Sequence, residues 1–471
     1  MPLRHIDGAS LDYYLVLFDS NGAERPEEDG SLLSATLAGA APDGVTDVFF
    51  ASHGWKGDVP AAISQYDRWV AAMAGQAGDS ERARGLAPGF KPLIVGVHWP
   101  SLPWGDESSG AGLLGDGDAD EFAAEQQLDT AELVQRYSER IADTDAARTA
   151  LTAILAAAAD SQTASRLAAG DLPAGLEHAY KTLFAEAGLG LDGAAAAPGS
   201  DQQTFTPALT ISEWTSAAPG GPAPGGGQPG LLGGGLGRSV KDALLMPVRQ
   251  LSFWSMKRRA RLVGETGVHS LLVDLQQSAP KARFHLMGHS FGCIVVSAAI
   301  SGPLGQSTIS SRLPRPVDSL FLVQGALSLW SFAERIPYPP NAPGYFRPID
   351  LPPALVNGPI VTTRSKFDHA VGTFYPLAAR AGGELLLGEE LPEFGGVGAF
   401  GIQGTAAGAT HDLPVLNADA EYGFDTGHIY NIEASTVICH GGWPSGAHSD
   451  IAHPQIAHVF WQAALPAMAR S

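Results

Sequence analysis

Ten residues constrain this chain more than any others: FHLMGHSFGC at 284–293. A short apolar run, RFHLM, meets G-H-S-F-G, and a second apolar run, CIVVSAAI, follows at once. The first run reads as a strand. The second reads as a helix with Ile294, Val295 and Ala298 on one face. A strand that turns into a helix within one residue forces a strained backbone at Ser290. It also needs small neighbours, here Gly288 and Gly292, so that strand and helix can approach. The helix start then points unpaired N–H groups at the serine, which favours negative charge there. Glycine makes up 57 of the 471 residues, so a chance G-x-S-x-G arises on the order of a few tenths of a time per chain. The context, not the pattern, carries the reading.

The rest of the chain supplies that context. Residues 13–18 (YYLVLF), 45–51 (VTDVFFA) and 92–98 (PLIVGVH) read as strands, and 62–75 as a helix presenting Ile63, Tyr66, Trp69 and Val70. Apolar strands separated by a helix predict a parallel sheet covered on both faces. The alternation stops at a Gly/Asp/Ser-rich stretch, 106–118. From 119 to about 188 the chain is Ala-rich and helical, and 186–238 is dominated by Gly, Ala and Pro. Alternation resumes near 239. Helical patterns cover 239–263, with Pro247 as a kink, and 267–277. Strands follow at 282–287, 319–324, 359–363 and 435–439 (STVIC). The expected architecture is one α/β domain built from 1–105 and 239–471, interrupted by an insertion over 106–238.

Composition excludes several classes. A formal charge of −20 leaves no basic excess to neutralise phosphates, which argues against nucleic acid. No secretion signal and no apolar run long enough to span a membrane are recognisable, so the expected location is cytoplasmic. The dense basic run KRRAR at 257–261 reads as a solvated helix face, with an anionic headgroup as the sharper alternative. Cys293 and Cys439 make neither a disulfide framework nor a zinc set. Cys293 reads as a small core residue.

A serine that attacks a carbonyl needs a base, a carboxylate that orients the base, and donors for the developing oxyanion. One donor would be the Phe291 N–H. The second is expected from the loop after 45–51, where Gly54 permits a turn that aims the Trp55 N–H inward. Seven histidines lie beyond residue 360. His448 fits best, on the loop between STVIC and a candidate helix carrying Ile456, Val459 and Phe460; His440 is the runner-up. His453 and His458 read as helix surface or packing. Asp368 follows the strand PIVTT and fits the orienting acid, although an aspartate there also suits a helix N-cap. Glu334 is the main alternative, whereas Asp318 precedes its strand.

These features resemble the α/β-hydrolase superfamily on its serine esterase/lipase side. The carrying stretches are S-H-G-W at 52–55, G-H-S-F-G at 288–292 (Gly288, His289, Ser290, Phe291, Gly292), F-D-H-A-V at 367–371 and G-A-H-S-D at 446–450. The resemblance covers roughly 11–102 and 239–471. It implies a mostly parallel central sheet flanked by helices, with the helical and Gly/Pro-rich insertion as a cap. It implies a cofactor-free, metal-free acyl-enzyme route on a small-molecule or lipid ester, with Ser290, His448 and Asp368 as triad and Trp55 and Phe291 at the oxyanion. Trp99, Trp104, Trp254, Trp330, Phe253 and Phe332 are candidates for an apolar acyl pocket or for core. A lipase- or phospholipase-like enzyme with 106–238 as lid, and a non-catalytic protein on the same fold, are the competing readings.

Overall fold

The computed structural model describes residues 3–40, 44–55, 59–101, 129–158, 160–168, 171–189, 205–216, 240–303, 312–338, 341–350, 354–371, 391–441 and 446–470. The stretch 106–118, Trp104, the tract 219–235 and the helix expected over Phe374 and Leu377 lie outside them.

Among the described residues, nine strands form one sheet: β1 (Leu3–Arg4), β2 (Tyr13–Leu17), β3 (Asp47–Ser52), β4 (Pro92–His98), β5 (Arg283–His289), β6 (Ser319–Val323), β7 (Ile360–Arg364), β8 (Thr410–Pro414) and β9 (Ile429–Glu433). Their order is β1-β2-β4-β3-β5-β6-β7-β9-β8, and every neighbouring pair except β1–β2 is parallel. The protein is therefore an α/β protein with a mostly parallel sheet. All six residues of β3 and all five of β6 are buried, as a sheet covered on both faces requires. Alternate side chains feed opposite layers. Val48 and Phe50 pack with α1 (Leu33–Ala40); Phe49 and Ala51 pack against α2 (Val59–Ala74). A further helix on the α2 face is α3 (Ala77–Leu86).

A separate apolar cluster joins α4 (Thr130–Ile141), α5 (Asp145–Ala157), α7 (Ala174–Glu186), residues near α6 (Ser161–Ala168) and α8 (Pro207–Ser216), and the first half of α9 (Val240–Val263). Leu244, Leu245, Val248, Leu251 and Trp254 of α9 belong to that helical cluster, whereas Met256, Ala260 and Val263 belong to the main core. The long helix passes through Pro247 and continues by a π-turn, Gly264–Val268, into α10 (His269–Ser278). Gly264 makes the packing possible, because a Cβ there would sit 2.5 Å from the Val295 carbonyl oxygen. Val295 lies on α11 (Gly292–Ser301), and α12 (Pro454–Met468) closes the α2 side of the sheet.

Two expectations change. The basic run 257–261 is not a solvated face: Lys257 is 1% exposed and Arg261 is buried. Arg259 donates to the carbonyls of Pro100 and Glu139, linking the end of β4 to α4. Burial, with the Arg140 charge nearby, lowers its pKa to about 10. Arg261 donates to the Tyr345 hydroxyl at 2.9 Å. The apolar run STVIC is not a strand either. β9 lies just upstream, and 435–439 turns, with the Val437 and Ile438 N–H groups donating to the Ala434 carbonyl. Its hydrophobicity marks the burial of Ile438, not a strand period.

Candidate active site

Register brings the first parts of the site together. Ser52 of β3 pairs with Gly288 of β5, and His289 pairs with Val323 of β6, so these strands end level. The chain then reverses at Ser290, whose φ is +55°, a left-handed value that residues other than glycine rarely adopt. Three bonds hold it there: Ser290 N–H donates to the Val323 carbonyl, and the Cys293 and Ala326 N–H groups donate to the Ser290 carbonyl, each at 3.1 Å. α11 begins at once, with Phe291 in its N-cap position.

The glycines explain themselves by distance. A Cβ on Gly288 would lie 2.4 Å from the Gly292 oxygen, and one on Gly292 would lie 2.2 Å from the Ser52 oxygen. A Cβ on Gly54 would lie 2.6 Å from Ser290 Cβ. Strand, turn and helix therefore meet only because these side chains are missing. The turn at 53–55 is locked from below. The His53 ring stacks on His98 and Trp99, its Nδ1 donates to the Gly54 carbonyl at 2.8 Å, and the His53 backbone N–H donates to the Tyr66 hydroxyl. The Trp55 ring packs 5.7 Å from Phe291, and Phe253 of α9 packs against both.

Two loops deliver the remaining groups. The one after β7 and the one before α12 pair through an isolated bridge, Asp368 with Gly446, and the Ala447 N–H donates to the Phe367 carbonyl. Gly446 needs its φ of +63°, and a Cβ there would collide with that carbonyl at 2.1 Å. This bridge sets His448 between Ser290 and Asp368. His448 Nε2 lies 2.7 Å from Ser290 Oγ, and its Nδ1 donates to Asp368 Oδ2 at 2.8 Å. Ser290 and His448 are only 5% and 9% exposed, so the chain of bonds runs through a largely water-excluded space. A hydroxyl so placed can pass its proton to the imidazole while attacking an electrophile, with the carboxylate holding the ring.

Other contacts steady this set. Asp368 Oδ1 also accepts the Val371 N–H at 3.1 Å, so it serves as cap and as imidazole partner. The Gln324 amide donates to Asp368 Oδ2 at 2.8 Å and to the Gly398 carbonyl at 3.0 Å. Gln324 itself is buried at φ +46°, with its amide oxygen accepting from Thr363 Oγ1. His289 donates from Nε2 to the His448 carbonyl and accepts the Gln65 amide at Nδ1, both at 2.9 Å. Burial, reinforced by the neighbouring His448, pushes its pKa down to about 3, so it stays neutral.

The structure brings Ser290, Asp368 and His448 together, with Gly54 against the serine and Trp55 and Phe291 beside it. It leaves the alternatives elsewhere. Glu334 pairs with Arg347 and is half-exposed, Asp318 sits at the opposite end of the sheet on the Phe284 N–H, and His458 pairs with Asp79. His440 points outward beside Cys439. Trp99, Trp254, Trp330 and Phe332 are core; among the described pocket candidates, Phe253 touches Trp55 and Phe291. Gln324 and Gln65 escape sequence reasoning. The signal for Gln324 is a polar residue closing an otherwise apolar strand, SLFLVQ; Gln65 leaves none.

Comparison with family models, with curated proteins and with solved structures finds no match to this chain. Among the described residues, no helix is long and apolar enough to cross a membrane.

Proposed function

We propose that this protein is a serine hydrolase of the α/β-hydrolase kind that cleaves carboxylic esters through an acyl-enzyme. The observation that carries the reading is the bonded series Ser290 Oγ–His448–Asp368 with its serine on a left-handed turn at the head of a helix. Ser290 Oγ attacks the ester carbonyl carbon while His448 Nε2 takes its proton. The oxyanion accepts from the Phe291 N–H and the Trp55 N–H, each such donor contributing about 3–4 kcal/mol in the transition state. Collapse breaks the carbonyl–alkoxy bond, and His448 returns the proton to the leaving alcohol. Water, deprotonated by the same imidazole, then attacks the acyl carbon; the acyl–Oγ bond breaks, the proton returns to Ser290 Oγ and the acid leaves. Every step uses groups of this chain, the substrate and water.

The test is a panel of chromogenic acyl esters graded in chain length, run on wild type and on Ser290→Ala, together with fluorophosphonate labelling. Turnover and labelling by wild type, both lost in the variant, are expected. Full activity in Ser290→Ala overturns the reading, and failure of wild type to cleave or label favours a binding protein on the same scaffold.

One observation favours a lipase-like variant of the reading. Phe253 lies on the helix shared with the helical segment and touches Trp55 and Phe291, so that helix reaches the residues flanking the serine. Rate enhancement above the critical micelle concentration supports a lid; a rate that simply saturates argues for an esterase on dissolved substrates.

A further inference from the structure

The loop that carries His448 is bracketed by a second set of chemically active side chains. Cys439 and His440 precede it, and Asp450 and His453 follow it. Cys439 Sγ lies 3.4 Å from His440 Nδ1, and His440 Nδ1 lies 3.4 Å from Asp450 Oδ2. The three ligand atoms all fall within 4.8 Å of one another. In a tetrahedral zinc site, bond lengths of about 2.0–2.3 Å place neighbouring ligand atoms about 3.3–3.7 Å apart. Two of the three edges already have that length.

The donors suit a borderline-soft cation. Thiolate, imidazole and carboxylate are the ordinary zinc ligands, and a thiolate with a carboxylate supplies two negative charges to a divalent ion. The carboxylate is held in advance: Asp450 Oδ2 accepts the N–H groups of Cys439 and His440 at 3.0 and 2.8 Å, while His453 Nε2 donates to Oδ1 at 2.7 Å. These bonds are the outer support that fixes a ligand's orientation. The His440 side chain is 81% exposed, which leaves an entry path and a position for water.

We propose that Cys439, His440 and Asp450 bind one zinc-type divalent cation. Bound there, the ion clips the two ends of the segment 441–449 together and so narrows the positions open to His448. The site does no chemistry on the ester, and its occupancy does not depend on Ser290.

The experiment titrates the full chain with Zn²⁺ in a calorimeter and with Co²⁺ in a spectrophotometer. One equivalent of each is expected, and Co²⁺ gives a thiolate-to-metal charge-transfer band with tetrahedral d–d absorption. Cys439→Ser removes the charge-transfer band. His440→Ala, at an exposed position, weakens binding at least tenfold without harm to the fold. Ser290→Ala binds unchanged, which separates this inference from the hydrolase reading. His411→Ala is also expected to bind unchanged; it controls for the exposed His411–His428 pair, whose rings meet at 3.0 Å. Absence of saturable binding overturns the proposal. So does a Co²⁺ spectrum that survives Cys439→Ser, or binding that is lost with His411.

Discussion

Among the described residues, one sheet carries two serine–histidine–aspartate sets, one at each end of its parallel strands. At the carboxyl ends stand Ser290, His448 and Asp368. At the amino ends stand Ser319, His285 and Asp47, with His285 Nδ1 2.9 Å from Ser319 Oγ and Nε2 3.2 Å from Asp47 Oδ1. Composition and distance barely separate them. Everything around them does. Ser319 is an ordinary strand residue, fully buried, paired across β5–β6 with His285 itself. Its histidine meets the serine through the other ring nitrogen. Asp47 is saturated by a two-pronged Arg283 contact and by Thr46. Ser290 instead stands on a left-handed turn, at a helix start, facing a glycine that leaves room beside it. The backbone that presents Ser290 is what suits it to the proposed role of nucleophile, and the lower set is a fastening across three strands.

The comparison can be broken by exchange of the two serines' fates. Ser290→Ala is expected to lower kcat on a cleaved ester by about 10⁶-fold, whereas Ser319→Ala leaves kcat within a few-fold. Equal losses would mean the distinction is wrong. The two acids sharpen it. Asp368→Asn is expected to cost about 10⁴-fold in kcat, with little change in thermal midpoint. Asp47→Asn breaks a buried ion pair and is expected to cost about 3–5 kcal/mol in denaturant unfolding, with turnover per folded molecule retained. Gln324→Ala removes a hydrogen bond to the Asp368 carboxylate and should lower kcat roughly tenfold; the comparison of kcat against KM, with KM unchanged, tells positioning from substrate binding.

A further effect is one of pH. Burial raises the Asp47 pKa, but the His285 and Arg283 bonds outweigh it and hold the group at about 2, below its ordinary 3.8. A depressed acid stabilises the fold above its unfolded pKa. That contribution, on the order of 2 kcal/mol, is therefore full above about pH 4 and lost as pH falls toward 2. Unfolding followed across that window should show a shallower slope in Asp47→Asn than in wild type, the remainder coming from other depressed acids such as Asp450.

Much of the site is legible in the residues because turn chemistry is local. Gly288, Ser290 and Gly292 announce a strand-to-helix reversal within five letters, and Gly54 announces the turn that faces it. Asp368 and His448 are legible by position past strand-like runs, although the run used for His448, STVIC, is a turn; His448 still follows a strand end because β9 ends only two residues upstream of that run. Gln324 and Gln65 are set by pairings distant in sequence, which one chain's periodicity does not encode. β8, reading THDLP, lies at the sheet edge with mixed exposure, so it carries no apolar signal. The KRRAR run misleads because carbonyl acceptors at Pro100 and Glu139, far along the chain, let a guanidinium be buried.

The sharing of α9 has a consequence for how the molecule comes apart. Its first half completes one apolar cluster and its second half another, and a helix cannot fray in the middle while both ends stay packed. Melting of the helical layer would strip Phe253 from the serine's neighbourhood and loosen the seat of α11 in the same event. Heat should therefore dissolve layer and sheet in one cooperative transition, and a protease that cuts within residues 240–263 should unravel two bodies with a single break.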